Sequence, residues 1–166
     1  VLERLWAGWR SSYVTGATAD RHEAGGCVFC SLAEEPVDPA TGVVAHGERT
    51  FCVLNAYPYG SGHLLVLPRR HVSSLGSLDD DEAIELWDLA RRAVSALETA
   101  YRPEGINLGA NLGEAAGAGI PAHLHLHVLP RWSGDTNFMT SIAETRVLPE
   151  SLSTTWAKVA AAFEAE

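Results

Sequence analysis

Residues 122–132 read AHLHLHVLPRW, which places His123, His125 and His127 at every second position with aliphatic side chains between them. A period of two belongs to a β-strand, whose side chains alternate between faces. A helix would scatter the three rings around its axis and leave neither side coherent. The pattern predicts a strand over AHLHLHVLPRW, with Leu124, Leu126 and Val128 packed on a core and three imidazoles together on the other face. A face that is merely solvated would more commonly carry Thr, Lys or Glu, so the imidazoles call for a chemical role. At about 3.3 Å per residue the outer two have Cα atoms roughly 13 Å apart, which makes it hard for all three to meet one metal whose nitrogen ligands lie about 2.0–2.1 Å away. A metalloenzyme reading with His125 and His127 on one metal stays open, although VLPRW supplies no third ligand. The other reading is nucleophilic. A neutral imidazole, with an ordinary pKa of about 6.5, can attack phosphorus, while a strand carbonyl holds one ring nitrogen as N–H and leaves the other free.

The chain of 166 residues is long enough to bury a core, and residues 1–166 read as a single domain. A formal charge of −9 disfavours a nucleic-acid polymer or an anionic membrane as partner, because both select clustered Lys and Arg. The start, VLERLWAGWRSSYV, lacks an apolar stretch suited to a signal peptide, and no run approaches the ~20 residues of a spanning helix; the expectation is a soluble, cytoplasmic protein. VVAHGERTFCVLN and HLLVLP read as two extended, antiparallel runs. The clearest helix lies in SLDDDEAIELWDLARRAVSALETAYRPEG, capped by Ser77 or an early Asp, with a stripe of Ile84, Trp87, Val94, Leu97 and Tyr101, and stopped by Pro103 and Gly105. GINLGANLG reads as a strand, GEAAGAGIP as a loop, and LPESLSTTWAKVAAAFEAE as a C-terminal helix. This order predicts an α+β fold: a mainly antiparallel sheet with a long helix and a C-terminal helix.

Cys27 and Cys30, in CVFC, have the spacing of two zinc ligands, which two imidazoles would complete. A redox pair competes, but CVFC does not follow a strand in a βαβ pattern. Cys52, in FCVLN, reads as a small buried side chain. Backbone N–H groups around Gly117 and Gly119 in GEAAGAGIP could approach a phosphate, though the loop lacks the GKS or GKT ending of a P-loop. Arg131 could offset substrate charge. Trp132 could stack on a base or simply pack. His22 and His46 are expected in solvated loops or at a strand end.

Asn55, then Gly62-His63-Leu-Leu-Val, then His123-Leu-His125-Leu-His127-Val-Leu followed by Pro-Arg, resembles the signature of the histidine triad (HIT) family. The likeness runs from LWAGWR through CVFC, LNAYPYGSGHLLVLPRRH and the Gly-rich loop to LPRWSGDTNFM. The resemblance implies a HIT-like fold in which His125 attacks the α-phosphorus of a nucleotide to give a nucleotidyl-histidine intermediate. It further implies that His127 binds phosphate oxygen, that His63 is the fourth histidine of the site, that Asn55 meets the ribose hydroxyls, and that Asn111 lies near the phosphates. Members carrying a cysteine pair imply a structural zinc at Cys27, Cys30, His71 and His123, in an N-terminal segment of about 20–35, with no organic cofactor; homodimers are common. Where the family usually has a Gln and a Ser or Thr before the first triad histidine, this chain has Ala118, Gly119, Ile120 and Pro121, so a side-chain hydroxyl contact is absent. LWAGWR and SGDTNFM resemble the diadenosine polyphosphate phosphorylase and hydrolase branch. That implies a dinucleoside polyphosphate substrate, with phosphorolysis of diadenosine tetraphosphate to ADP and ATP as the preferred reaction. Inorganic phosphate would be the acceptor, or water in its place. The alternatives are hydrolysis of dinucleoside polyphosphates, nucleoside phosphoramidates or adenylated adducts, and a nucleotide-binding regulator with vestigial chemistry.

Overall fold

The structure, a computed structural model, describes residues 26–136 and 148–165. LWAGWR, His22 and the end of SGDTNFM lie outside the described residues. Five strands form one antiparallel sheet: β1 (Val43–His46), β2 (Thr50–Leu54), β3 (Leu64–Pro68), β4 (Gly105–Gly109) and β5 (Leu126–Arg131), in the order β1-β2-β3-β5-β4. Among the described residues, three α-helices accompany it: α1 (Val28–Ala33), α2 (Asp80–Tyr101) and α3 (Leu152–Glu164). The α+β expectation holds.

VVAHGERTFCVLN is not one strand but the hairpin β1–β2. Gly47 N–H donates to the Thr50 carbonyl at 2.8 Å, and one carboxylate oxygen of Glu85, on α2, accepts from Arg49 N–H, Thr50 N–H and the Thr50 hydroxyl at 2.8–3.0 Å. A single acidic side chain thereby satisfies a turn that the hydrophobic pattern does not reveal.

The two faces of the sheet bury different things. Cys52, Leu54, Leu64, Val66, Leu126 and Val128 meet Leu86, Leu89, Ala90, Ala93 and Leu97 of α2 and Val159 and Phe163 of α3 in the larger core. Val43, Phe51, Val53, Leu65 and Leu67 face the other way, against Phe29 and Ala33 of α1. Register extends this division to the histidines: Leu65 pairs with His127, and Val66 with Leu126.

The long helix begins with a capping box. The Asp79 side chain accepts from Glu82 N–H, and the Glu82 side chain accepts from Asp79 N–H. Ser77 is therefore not the cap; its carbonyl instead accepts from Arg70. The expected apolar stripe holds in the second half of the helix, where Leu97 is buried and Val94 and Tyr101 pack against the core, but Ile84 and Trp87 are 70% and 54% exposed and the buried line there runs through Leu86, Leu89 and Ala90. The buried face combines leucines with alanines, so in the first half of the helix Ile84 and Trp87 mislead the pattern.

Glu82 also takes two charged hydrogen bonds from Arg70, Nε to Oε1 at 2.8 Å and Nη2 to Oε2 at 2.6 Å. Arg70 holds its carboxyl down at about 2. A depressed carboxyl contributes stability that is present above its unfolded value of about 4.5 and is lost as pH falls through about 2. The guanidinium is half in water, where solvent screens the pair, so we expect Arg70→Ala to lower stability at pH 7 only modestly. Denaturant titrations should show that difference shrinking between about pH 4.5 and pH 2; a difference constant with pH would remove the ion pair as its cause.

Gly62 precedes buried His63 at φ +77°, and a Cβ there would lie 2.9 Å from Pro130 Cγ and 3.1 Å from both Leu97 Cδ2 and Tyr101 Cε2. Strain and overlap act together, so Gly62→Ala should cost about 2–4 kcal/mol, which a thermal melt would register as a fall of roughly 5–12 °C.

Candidate active site

The strand β5 begins at Leu126, later than AHLHLHVLPRW suggests. His123 and His125 lie in the chain entering it, where His123 N–H donates to the Ile120 carbonyl and Leu124 N–H to the Val72 carbonyl. The alternation survives. Leu124 joins the larger core, and the rings of His125 and His127 lie 5.1 Å apart between centroids on the other side.

His125 is buried, and its Nδ1–H donates to the His123 carbonyl at 2.8 Å. Nε2 therefore carries the lone pair. Burial pushes its pKa down, which keeps the ring neutral and nucleophilic at physiological pH.

A second set of bonds fixes the tautomers beside it. Tyr59 N–H donates to His63 Nδ1 at 3.0 Å, so the neutral His63 carries its proton on Nε2. That proton is donated to His127 Nδ1 at 2.9 Å, which leaves the His127 proton on Nε2. This last nitrogen is buried and has no partner among the described residues. Burial, with His125 as the smaller cause, brings His127 down to about 4. The pair thus presents an uncharged N–H beside the His125 lone pair, and an unpaired buried donor of this kind awaits an acceptor such as a phosphate oxygen.

Asn55 begins the loop leading to His63. Its side-chain oxygen accepts from Tyr57 N–H at 2.9 Å, and its amide nitrogen lies 3.3 Å from His63 Nδ1. Asn111 follows β4 and is half-buried. In the glycine loop, Gly117 N–H donates to the Glu114 carbonyl at 2.8 Å, so of the two candidate glycines only Gly119 retains an N–H outside that turn. Trp132 lies past the end of β5 and meets Tyr101 edge-on at 6.0 Å, the residue that ends α2. That contact supplies packing for one edge of the indole. Arg131 is paired with Asp135 at 2.5 Å and donates to Asn107, so its charge is already compensated. His46 lies at a strand end, as expected, and ends β1; its Nε2–H donates to the Glu35 carbonyl and its Nδ1 accepts from Arg69, joining the residues after α1 to the sheet.

The cysteines form a separate cluster. Cys27 Sγ lies 3.3 Å from His123 Nδ1, and Cys30 Sγ lies 3.3 Å from His71 Nδ1 and 3.7 Å from His123 Nδ1. All four ligand atoms fall within 4.8 Å of one another. A tetrahedron with bonds of about 2.0–2.3 Å has edges of roughly 3.3–3.8 Å, so the donor set and its spacing fit a tetrahedral metal. His123 Nε2–H donates to the Pro68 carbonyl at 2.9 Å, which turns the Nδ1 lone pair toward the thiols. Among the described residues this is the one such group, and His125 and His127 are outside it; the HxH metalloenzyme reading loses its geometric basis.

Sequence reasoning passed over Phe29 and Tyr59. Tyr59 stacks on His127 with centroids 5.7 Å apart, and Phe29 touches both His123 and His125. The only signal for either was its position inside a quoted motif, AYPYGSG or CVFC.

Comparison with known proteins agrees with this geometry. A family model described as the HIT domain matches residues 38–134, a span that includes His63, His71 and the triad but begins after Cys27 and Cys30. An AP-4-A phosphorylase of Mycobacterium tuberculosis is 39% identical over 161 residues, 91% of this chain and 79% of that protein. Among solved structures, a hypothetical histidine triad nucleotide-binding protein from Sulfolobus tokodaii has a TM-score of 0.67 and 26% identity, over 84% of this chain and 93% of that one. A Zn-bound histidine triad family protein from Mycobacterium smegmatis has the same TM-score and identity, over 84% and 94%. With its three alternating histidines, its antiparallel sheet and these matches, the chain belongs to the histidine triad (HIT) family.

Proposed function

We propose that the protein is a nucleotidyl transferase that phosphorolyses diadenosine tetraphosphate to ADP and ATP. The observation that carries the reading is the pairing of a neutral His125, whose Nε2 keeps its lone pair, with the N–H of His127, which has no partner among the described residues. The likeness to the mycobacterial AP-4-A phosphorylase supports the substrate and the acceptor. In the first step His125 Nε2 bonds to an α-phosphorus, the bond to the bridging oxygen breaks, and ATP departs. In the second, inorganic phosphate displaces the histidine from the same phosphorus and ADP forms. His127 Nε2–H donates to an oxygen of the reacting phosphate, and His63 holds it in that tautomer. Asn55 takes the ribose hydroxyls, while Asn111 and Gly119 line the phosphates.

The cysteine–histidine cluster is assigned to zinc. Two thiolates and two imidazoles suit that ion, and the Zn-bound relative from Mycobacterium smegmatis supports it. Bound there, zinc supplies structural cross-linking between the segment around α1 and the residues entering β5. A homodimer is proposed through β4, which is an edge strand and largely exposed; light scattering giving a monomer mass at assay concentration would remove it. Among the described residues no helix is long and apolar enough to cross a membrane.

The deciding experiment incubates the zinc-loaded protein with diadenosine tetraphosphate, with and without inorganic phosphate. ADP and ATP in equal amounts, dependent on phosphate, are expected. AMP and ATP in both buffers would make it a hydrolase, and no cleavage in either would reject the substrate class.

A further inference from the structure

Phe29 stands between the two cysteines of CVFC, and its ring touches both His123, edge-on at 5.5 Å and 79°, and His125, at 5.4 Å and 49°. We propose that Phe29 is a positioning residue for His125, and that through it the cysteine loop fixes the aim of the nucleophile; this rests on the nucleophilic role given to His125 above. One hydrogen bond, Nδ1–H to the His123 carbonyl, holds the imidazole at a single point and leaves it free to tilt about that line. Two rings remove that freedom: His127 meets it at 71°, and Phe29 covers it from the side of α1.

Phe29 is itself held in place. It is buried among Ala33, Val43, Phe51, Val53, Leu65 and Leu67, and the neighbouring thiols approach His123 and His71. His123 takes part on both sides, since its ring belongs to the cluster while its carbonyl receives the His125 proton. A shift of the loop therefore reaches His125 by two routes, through Phe29 and through the His123 backbone. A purely packing role for Phe29 predicts something different: lost stability with normal chemistry in whatever remains folded.

The test compares Phe29→Leu and Phe29→Ala with wild type, each zinc-loaded. It measures metal stoichiometry, unfolding midpoint, kcat and KM for diadenosine tetraphosphate, and the long-range 1H–15N correlation spectrum of the His125 imidazole. Phe29→Leu keeps most of the apolar volume and guards against simple misfolding of the alanine variant. We expect kcat to fall about tenfold in Phe29→Leu and about a hundredfold in Phe29→Ala, as for a displacement on the order of 1 Å. KM should stay within about twofold and the metal should be retained. The His125 ring nitrogens should move from a single Nδ1–H tautomer toward averaged positions, and stripping metal from wild type should shift them in the same direction. Normal kcat in the folded variants, a fall in kcat only in proportion to lost metal, or an unchanged His125 spectrum each overturns the proposal. If the wild type itself cleaves no dinucleotide, the substrate assignment fails on its own, and the imidazole spectrum alone decides the role of Phe29.

Discussion

Replacing His125 with alanine should lower turnover of diadenosine tetraphosphate by about 10⁴-fold or more, with nucleotide affinity kept within a few-fold. The reason is that none of the other histidines described around it can take its place. His127 Nδ1 is occupied by the His63 proton, and its Nε2 bears hydrogen. His123 faces the thiols through Nδ1 and Pro68 through Nε2. His63 accepts from Tyr59 and donates to His127. Removal of a buried ring also costs some stability, so the variant should be assayed well below its melting point. Its nucleotide affinity, read by calorimetry, shows that the cleft survives. Wild type quenched in the absence of acceptor phosphate should carry the mass of one nucleotidyl group on the peptide containing His125, and the variant should carry none. Turnover within tenfold of wild type would end the nucleophile assignment.

The second large effect concerns the cysteine cluster. A Cys27→Ser, Cys30→Ser double variant, or wild type treated with a strong chelator, should unfold about 10 °C lower than the metal-loaded protein. Six residues make α1 too short to hold itself together, and its contact with the sheet rests mainly on Phe29 and Ala33. Metal bound at about a thousand times its dissociation constant contributes roughly 4 kcal/mol, and each kilocalorie moves the midpoint by about 2–4 °C in a chain of this size. Scanning calorimetry with and without chelator is the measurement, alongside metal analysis of both samples. Equal midpoints for loaded and stripped wild type would mean that the four side chains meet without a metal contributing to the fold.

The histidine pattern was legible because alternation is a local property: the side to which each ring points follows from parity, even though ladder pairing begins only at Leu126. Chain order conveyed the sheet and both longer helices for the same reason. What escaped notice depends on contacts distant in sequence. Nothing in GERT announces that Glu85 will satisfy its backbone, so the β1–β2 turn was read as continuous strand. The buried face of α2 is built from leucines and alanines together, and nothing local shows that Ile84 and Trp87 lie off it. Arg131 and Trp132 have chemistry suited to a substrate, and their engagement with Asp135 and Tyr101 is visible only once the chain is folded. Phe29 is the opposite case, an ordinary core residue by composition that touches the triad because helix α1 carries it there.

The sequence of donors from Tyr59 through His63 to His127 presents a hydrogen at the proposed phosphate position without any formal charge. In a chain with a net charge of −9, a polyphosphate must approach a protein of like net charge before neutral dipoles can grip it. Dissolved ions weaken that long-range repulsion far more than they weaken short, sheltered contacts. Capture should consequently quicken as ionic strength rises, opposite to the behaviour of enzymes that draw anions in with lysines and arginines.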